Sequence, residues 1–294
     1  MSERSDFIRK SFKEYDDVRD AGLTTPEDIV RFDDICYGED ARWQVLDVYR
    51  PKDKAGQLLP VIVSVHGGGW VYGDKERYQY YCMSLAQHGF AVVNYTYRLA
   101  PEFKFPSSME DANLVFTWVM EHAKEYGFDT GHVFGVGDSA GAHQLSLYAA
   151  ICSNPELAAR FPFRVPEGFV PTAIALNCGV YAVLRDKTTG RLEHGLLEEA
   201  LPDGGTDDEI ERINVVAHIT ESFPPTFYMT CTGDSLQSQA VILGQKLIEK
   251  QIPHEFHFYG DADHQLGHVF HCNMRLEEAA RCNQEQCDYF RKFL

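Results

Sequence analysis

No apolar stretch in this 294-residue chain is longer than a strand. Runs such as Pro60 to Val65 fall far short of the roughly 20 residues that a membrane-spanning helix needs, so no membrane span is expected. Basic residues are scarce. The 27 Lys and Arg against 44 Asp and Glu leave a formal net charge of -17, which repels polyanions, so nucleic acid is not expected as a partner and an anionic membrane is a poor one. Residues 1–20 are crowded with charge (Glu3, Arg4, Asp6, Arg9, Lys10, Lys13, Glu14, Asp16, Asp17) and lack the apolar stretch of an export signal. The expected location is the cytoplasm. The 8 cysteines are scattered through the chain, which with that location predicts free thiols rather than a disulfide framework. Neither a G-x-x-x-x-G-K-[ST] loop nor a G-x-G-x-x-G run after the first strand is present, and the Cys and His spacings of zinc sites are missing. No cofactor and no metal are therefore expected. Repeats of 20 to 50 residues are also absent, which sets aside solenoids and propellers.

What is present is ordinary globular composition, 44% apolar and 24% charged, arranged in alternation. Near-continuous apolar runs lie at Val61–Val65, Phe90–Tyr95, Val133–Val136, Ala173–Leu176, Phe227–Thr230 and, more weakly, Glu255–Tyr259. Such runs suit strands covered on both faces. Between them fall helical patterns, the clearest starting at Ser107, where Ser107 and Glu110 fit a capping box and Gly127 ends the segment. Strand, helix, strand alternation predicts a mostly parallel, doubly wound α/β sheet. Near-helical spacing of Phe7, Ile8, Phe12, Tyr15 and Val18 predicts an amphipathic helix packed on the main body. No linker divides residues 1–294, which are read as a single domain. Residues about 1–40 and about 180–222 break the alternation and are read as cap or lid material.

Gly137-Asp138-Ser139-Ala140-Gly141 follows an apolar run and precedes a helix-forming segment, the strand-turn-helix context in which G-x-S-x-G raises a nucleophilic serine. Positions two before and two after that serine are crowded by the turn, which calls for glycine. His66-Gly67-Gly68-Gly69-Trp70 ends another strand, and its bare backbone N–H groups can form an oxyanion hole. His66, ahead of the glycines, suits a structural hydrogen bond better than chemistry. A serine nucleophile needs a base and a group to orient it. In the order Ser, acid, His, Asp234 stands just after the run Phe227–Thr230, where the acid is expected. The segment after Tyr259 offers three histidines, His264, His268 and His271, and residue pattern alone does not choose among them.

Five motifs in one order, His66 to Trp70, Tyr97-Arg98-Leu99-Ala100-Pro101-Glu102, Gly137 to Gly141, Pro224-Pro225-Thr226 and His268-Val269-Phe270, resemble the hormone-sensitive-lipase-like carboxylesterases. The resemblance runs over most of the chain from about residue 43. It implies the α/β-hydrolase fold, a mostly parallel central sheet with helices on both faces and a small helical cap. The family's His-x-Phe pattern selects His268 as base. The resemblance further implies Ser139 as nucleophile, Asp234 as acid, and the N–H groups of Gly68, Gly69 and Ala140 as oxyanion hole. Two departures stand out: Gln237 and Ser238 follow Asp234-Ser235-Leu236 where a second acid is usual, and Ala142 and His143 replace a glycine and an asparagine. His143 is read as a supporting or helix-face residue rather than a metal ligand.

The implied activity is hydrolysis of carboxylic esters, with short acyl chains, through an acyl-enzyme on Ser139. An amide-cleaving enzyme with the same triad, such as a formamidase or small peptidase, and a non-catalytic small-molecule receptor on the same fold are the alternatives. The expected partner is a small-molecule ester, and a homo-oligomer is left open. Trp70 is the substrate-binding candidate, with Phe7, Phe12, Tyr181 and Leu184 as further pocket-lining candidates.

Overall fold

The computed structural model describes residues 2–294. Eight strands form one sheet: β1 (Ile29–Cys36), β2 (Val45–Pro51), β3 (Leu59–Val65), β4 (Ala91–Tyr95), β5 (Phe128–Asp138), β6 (Ile174–Asn177), β7 (Thr226–Cys231) and β8 (His254–Tyr259), in the order β1-β2-β4-β3-β5-β6-β7-β8. The β1–β2 and β2–β4 pairs are antiparallel, and every pair from β4 to β8 is parallel. This is the α/β-hydrolase architecture that the motifs implied.

Helices supply the crossovers. α1 (Glu3–Asp20) precedes the sheet, α2 (Lys75–Gln87) links β3 to β4, and α3 (Ser107–Glu121) with the single turn α4 (Ala123–Tyr126) links β4 to β5. α5 (Ala140–Ser153) and α6 (Pro155–Ala158) follow β5. The β6–β7 connection carries three short helices, α7 (Leu197–Ala200), α8 (Asp207–Ile213) and α9 (Val215–His218). α10 (Gln237–Glu249) links β7 to β8, and α11 (Glu277–Arg291) closes the chain.

Alternate strand residues feed two apolar cores, because successive side chains leave a strand on opposite faces. Val61, Val63 and Val65 of β3 join α3, α5 and α10 in one core, whereas Ile62 joins α2 and α11 in the other. Both faces being covered, these strands read as continuous apolar runs.

Three expectations are revised. The segment 1–40 is not cap throughout: its second half contributes β1, an edge strand that exposes Phe32, Asp33, Asp34 and Cys36 and whose register slips between Phe32 and Ile35. The capping box at Ser107 does not form. α3 has Pro106 as N-cap with no side-chain cap, and Glu110 reaches Arg98 instead at 2.9 Å. Finally, the apolar residues of α1 pack inward only in part: Ile8 joins the small cluster of Val71, Ala100 and Ala200, and Phe12 meets Tyr72 edge to face at 5.8 Å. Phe7, Tyr15 and Val18 are 67%, 59% and 76% exposed, and the helix buries Ser5, Asp16 and Arg19.

Candidate active site

Parallel strands all end at the same edge of a sheet, and in such folds ligands bind in the crevice there. The C-terminal ends of β3, β5, β7 and β8 therefore bring together four loops that are distant in sequence. Ser139 occupies the turn between β5 and α5 with φ 51 and ψ -118, a conformation a serine holds only when its surroundings enforce it. The crowding expected of the flanking glycines is present. A methyl group on Gly141 would overlap the carbonyl oxygens of Val65 and His66, and one on Gly137 would stand 2.7 Å from the Gly141 oxygen.

Beyond β7, the Gly233 N–H bonds the Leu266 carbonyl at 2.8 Å, and Gly233 pairs with Gly267 in a parallel bridge. That closure puts Asp234 against His268. The His268 Nδ1–H donates to Asp234 Oδ1 at 2.7 Å, the Leu236 N–H donates to the same oxygen at 2.9 Å, and the Thr230 hydroxyl donates to Oδ2 at 2.6 Å. Burial pushes the Asp234 carboxyl up, but the His268 and Thr230 hydrogen bonds outweigh it and hold the group below its ordinary value. The other two histidines point elsewhere. His264 is exposed and lies 3.1 Å from Glu278, while His271 is fully buried against Tyr81 and Cys272.

The glycine run after β3 is braced at its start by the residue before the serine. The Gly67 N–H donates to Tyr78 Oη at 2.9 Å and to Asp138 Oδ1 at 3.2 Å, and the Tyr78 hydroxyl donates to Asp138 Oδ2 at 2.7 Å. Burial pushes the Asp138 carboxyl up to about 6 against the pull of the Tyr78 hydrogen bond. Gly68 adopts φ 115, where a side chain would overlap the Tyr72 carbonyl. Its own carbonyl accepts from the N–H groups of Val71 and Tyr72 at 3.3 and 3.0 Å. His66 stacks on Tyr97 with centroids 4.0 Å apart, donates through Nδ1 to the Gly67 carbonyl at 2.8 Å, and is lowered to about 4 by burial. It does not line the pocket.

A pocket of about 600 Å³ contains Gly68, Gly69, Trp70, Ser139 and His268 in its lining, with Phe12, Tyr15, Asp16 and Arg19 from α1 and Glu193 to Leu196 from the β6–β7 connection. Of the pocket-lining candidates, Trp70 and Phe12 stand there. Phe7 and Leu184 are exposed, and Tyr181 is buried in the core. The sequence reading missed Tyr78 and Asp138 as braces and Arg19 as a wall; only Asp138 lay inside a motif. Among the described residues, two groups of donor atoms lie within 4.8 Å of one another, Cys178/Asp234/His268 and Asp138/His271/Cys272. In each, the carboxylate already accepts the hydrogen bonds given above.

The BD-FAE family model matches residues 46–247. Versiconal hemiacetal acetate esterase of Dothistroma septosporum is 28% identical over 232 residues, 74% of this chain and 69% of that protein. Esterase LipC of Mycobacterium tuberculosis is 32% identical over 148 residues, 50% of this chain and 35% of that protein, so the match spans about a third of its length. The crystal structure of esterase B from Lactobacillus rhamnosis in a C6-C4 SN3 inhibited form superposes with a TM-score of 0.89 at 26% identity, covering 99% of this chain and 95% of that one.

Proposed function

The chain belongs to the BD-FAE family and is a carboxylic ester hydrolase of the hormone-sensitive-lipase-like type, and from that premise we propose that it cleaves esters of short acids through an acyl-enzyme on Ser139. The observation that carries this reading is the pairing of His268 with the buried Asp234 at 2.7 Å, in a pocket that also holds Ser139 and the glycine run. The relatives named above are esterases, which does not favour the amide-cleaving or receptor alternatives.

In the proposed reaction His268 Nε2 takes the proton of Ser139 Oγ as the oxygen attacks the ester carbonyl. The N–H groups of Gly68, Gly69 and Ala140 receive the developing oxyanion, and Ala140 opens α5, where backbone N–H groups are unpaired. His268 then gives the proton to the leaving alcohol. Water then attacks the acyl carbonyl while losing a proton to His268, and as the acid leaves His268 returns that proton to Ser139 Oγ. Asp234, acting only as acceptor, keeps the proton on Nδ1 so that Nε2 is free to accept, and stabilises the imidazolium. Trp70 is assigned to substrate contact. α1 and residues about 180–222 serve as the cap, and the aromatic walls from Phe12, Tyr15 and Trp70 favour a short acyl group. Unpaired cysteines support the cytoplasm as the place of work.

The test is a rate profile on chromogenic esters with acyl groups of two to twelve carbons, for the wild type and for Ser139→Ala and His268→Ala. Each variant is expected to lose on the order of 10⁶-fold in turnover, as a triad acting as a unit does. Ester hydrolysis retained by Ser139→Ala overturns the assignment of the nucleophile, and a rate maximum at the longest acyl groups overturns the short-chain reading.

A further inference from the structure

The glycine run and the nucleophile belong to segments of chain that meet only in the folded protein, yet an oxyanion hole works only when its donors stand at fixed positions relative to the attacking oxygen. Asp138, just before Ser139, holds the first end of that run. Its other end is held by His143, one turn after Ser139 on α5, whose N–H bonds the Ser139 carbonyl at 3.2 Å.

His143 is 3% exposed, and both ring nitrogens are used. Nδ1 lies 3.3 Å from the Trp70 indole Nε1, with the rings edge to face at 5.5 Å, and Nε2 lies 2.9 Å from the Ile213 carbonyl oxygen. An indole N–H can only donate and a carbonyl can only accept. The ring must therefore be neutral, with its hydrogen on Nε2. Trp70 itself sits at φ 64, a left-handed conformation that a bulky residue keeps only under external constraint. Its carbonyl accepts from the Ala100 N–H at 3.0 Å, and the indole bond to His143 fixes the side chain. Ile213 ends α8 in the cap segment. One imidazole thus joins the helix after Ser139, the loop after Gly69 and α8 of the β6–β7 connection, whose residues 193–196 line the pocket.

We infer that His143 is a positioning residue of the hydrolysis, holding the Gly68–Gly69 donors in register with Ser139 through Trp70 and seating the cap through Ile213. The inference rests on the assignment of Ser139 and the glycine run made above. Its two halves separate chemically, because an asparagine carries an acceptor near the position of imidazole Nδ1 and a glutamine carries a donor near that of Nε2.

The experiment measures kcat and KM on an acetyl ester for His143→Asn, His143→Gln, Trp70→Phe and the double variant Trp70→Phe/His143→Gln, with thermal unfolding of each. His143→Gln and Trp70→Phe break the loop bond and are expected to lower kcat about tenfold to a hundredfold, the scale of a small misplacement of catalytic groups. Their losses should not add in the double variant, since they remove one interaction. His143→Asn keeps the loop bond, so most of kcat returns while KM rises as the cap loosens. Wild-type kcat in folded Trp70→Phe, additive losses in the double variant, or equal losses in the Asn and Gln variants would each overturn the inference. Activity retained by Ser139→Ala would instead overturn the assignment beneath it.

Discussion

Two helices border the pocket and are held in opposite ways. Every residue of α5 except Cys152 is buried, and the helix is fixed by apolar contact between the sheet and α3. α1 buries only Ser5, Asp16 and Arg19. It is attached by polar bonds: Arg9 to the carbonyls of Val71 and Ala100 at 2.8 and 2.9 Å, Arg19 to the Arg77 carbonyl at 2.6 Å, and the Tyr72 hydroxyl to Asp16 at 2.8 Å. Apolar burial contributes about 1.5–3 kcal/mol per large side chain, whereas a typical hydrogen bond contributes about 0.5–1.5 kcal/mol net. The helix that Ser139 caps is therefore part of the core, and the helix that lines the pocket with Phe12 and Arg19 is a separable attachment.

The sharpest break of that contrast is Gly141→Ala. The added methyl has backbone oxygens, not a flexible side chain, in its way, and a loss above about 4 kcal/mol is expected, read as loss of the cooperative unfolding transition. A denaturant midpoint close to wild type would contradict the close approach of α5 to β3.

Acid is expected to reach the core next. Burial lowers His66 and His143 to about 4 and His271 to about 3, from 6.5. Below 6.5 the unfolded chain binds protons that the folded one refuses, so stability falls with pH until the folded rings themselves titrate. Asp138 opposes this, since it holds its proton up to about 6 when folded against 3.8 otherwise, but three histidines outweigh one carboxyl. Unfolding midpoints measured from pH 7 to 4 should drop steadily, and a flat profile would contradict the burial of these rings. On α1 the loss comes at lower pH. Hydrogen bonds from Arg9 hold Glu102 below its ordinary 4.5, so that pair persists until pH falls beneath that range.

Arg19→Ala tests the attachment itself. It removes the 2.6 Å bond to the Arg77 carbonyl that ties α1 to α2, and it strips Asp16, nearly buried on α1 itself, of its 2.8 Å ion-pair partner, so a local loss of about 3 kcal/mol is expected. Proteolytic cleavage within α1 should accelerate and KM rise while the main unfolding transition moves little. Unchanged cleavage would show α1 to be held by other means. The smallest effect belongs to Phe7→Ser and Val18→Ser, expected within about 0.5 kcal/mol of wild type because neither side chain is buried. Destabilisation well beyond that would mean this face is covered in solution.

The same contrast marks how far the residue pattern could be read. The apolar runs located β3 to β8 because a strand packed on both sides has little choice of residue. β1 escaped, since Arg31, Asp33 and Asp34 interrupt its apolar residues and leave no run to detect. The spacing of Phe7, Ile8, Phe12, Tyr15 and Val18 announced a helix correctly, but only Ile8 and Phe12 meet the body, because periodicity reports that one face differs from the other without saying how much of it is covered. At the site, Ser139 and the glycine run carried their own local signature. Asp234 followed from its place after a strand, and the choice of His268 needed family likeness. Tyr78 and Arg19 had no signature, because their partners are 60 and 58 residues away for the bonds they make to Asp138 and the Arg77 carbonyl.

What the sequence determined alone is what depends on neighbours along the chain: strands whose both faces are apolar, a turn crowded enough to require glycine around Ser139, bare N–H groups after β3, and the charge that repels polyanions. Tertiary structure decided which histidine meets Asp234, which residues of α1 look outward, and that His143 bonds Trp70 from the helix that Ser139 caps. Those outcomes turn on contacts between segments far apart in the chain, where burial and hydrogen-bond geometry, not residue identity, select among groups of the same chemistry.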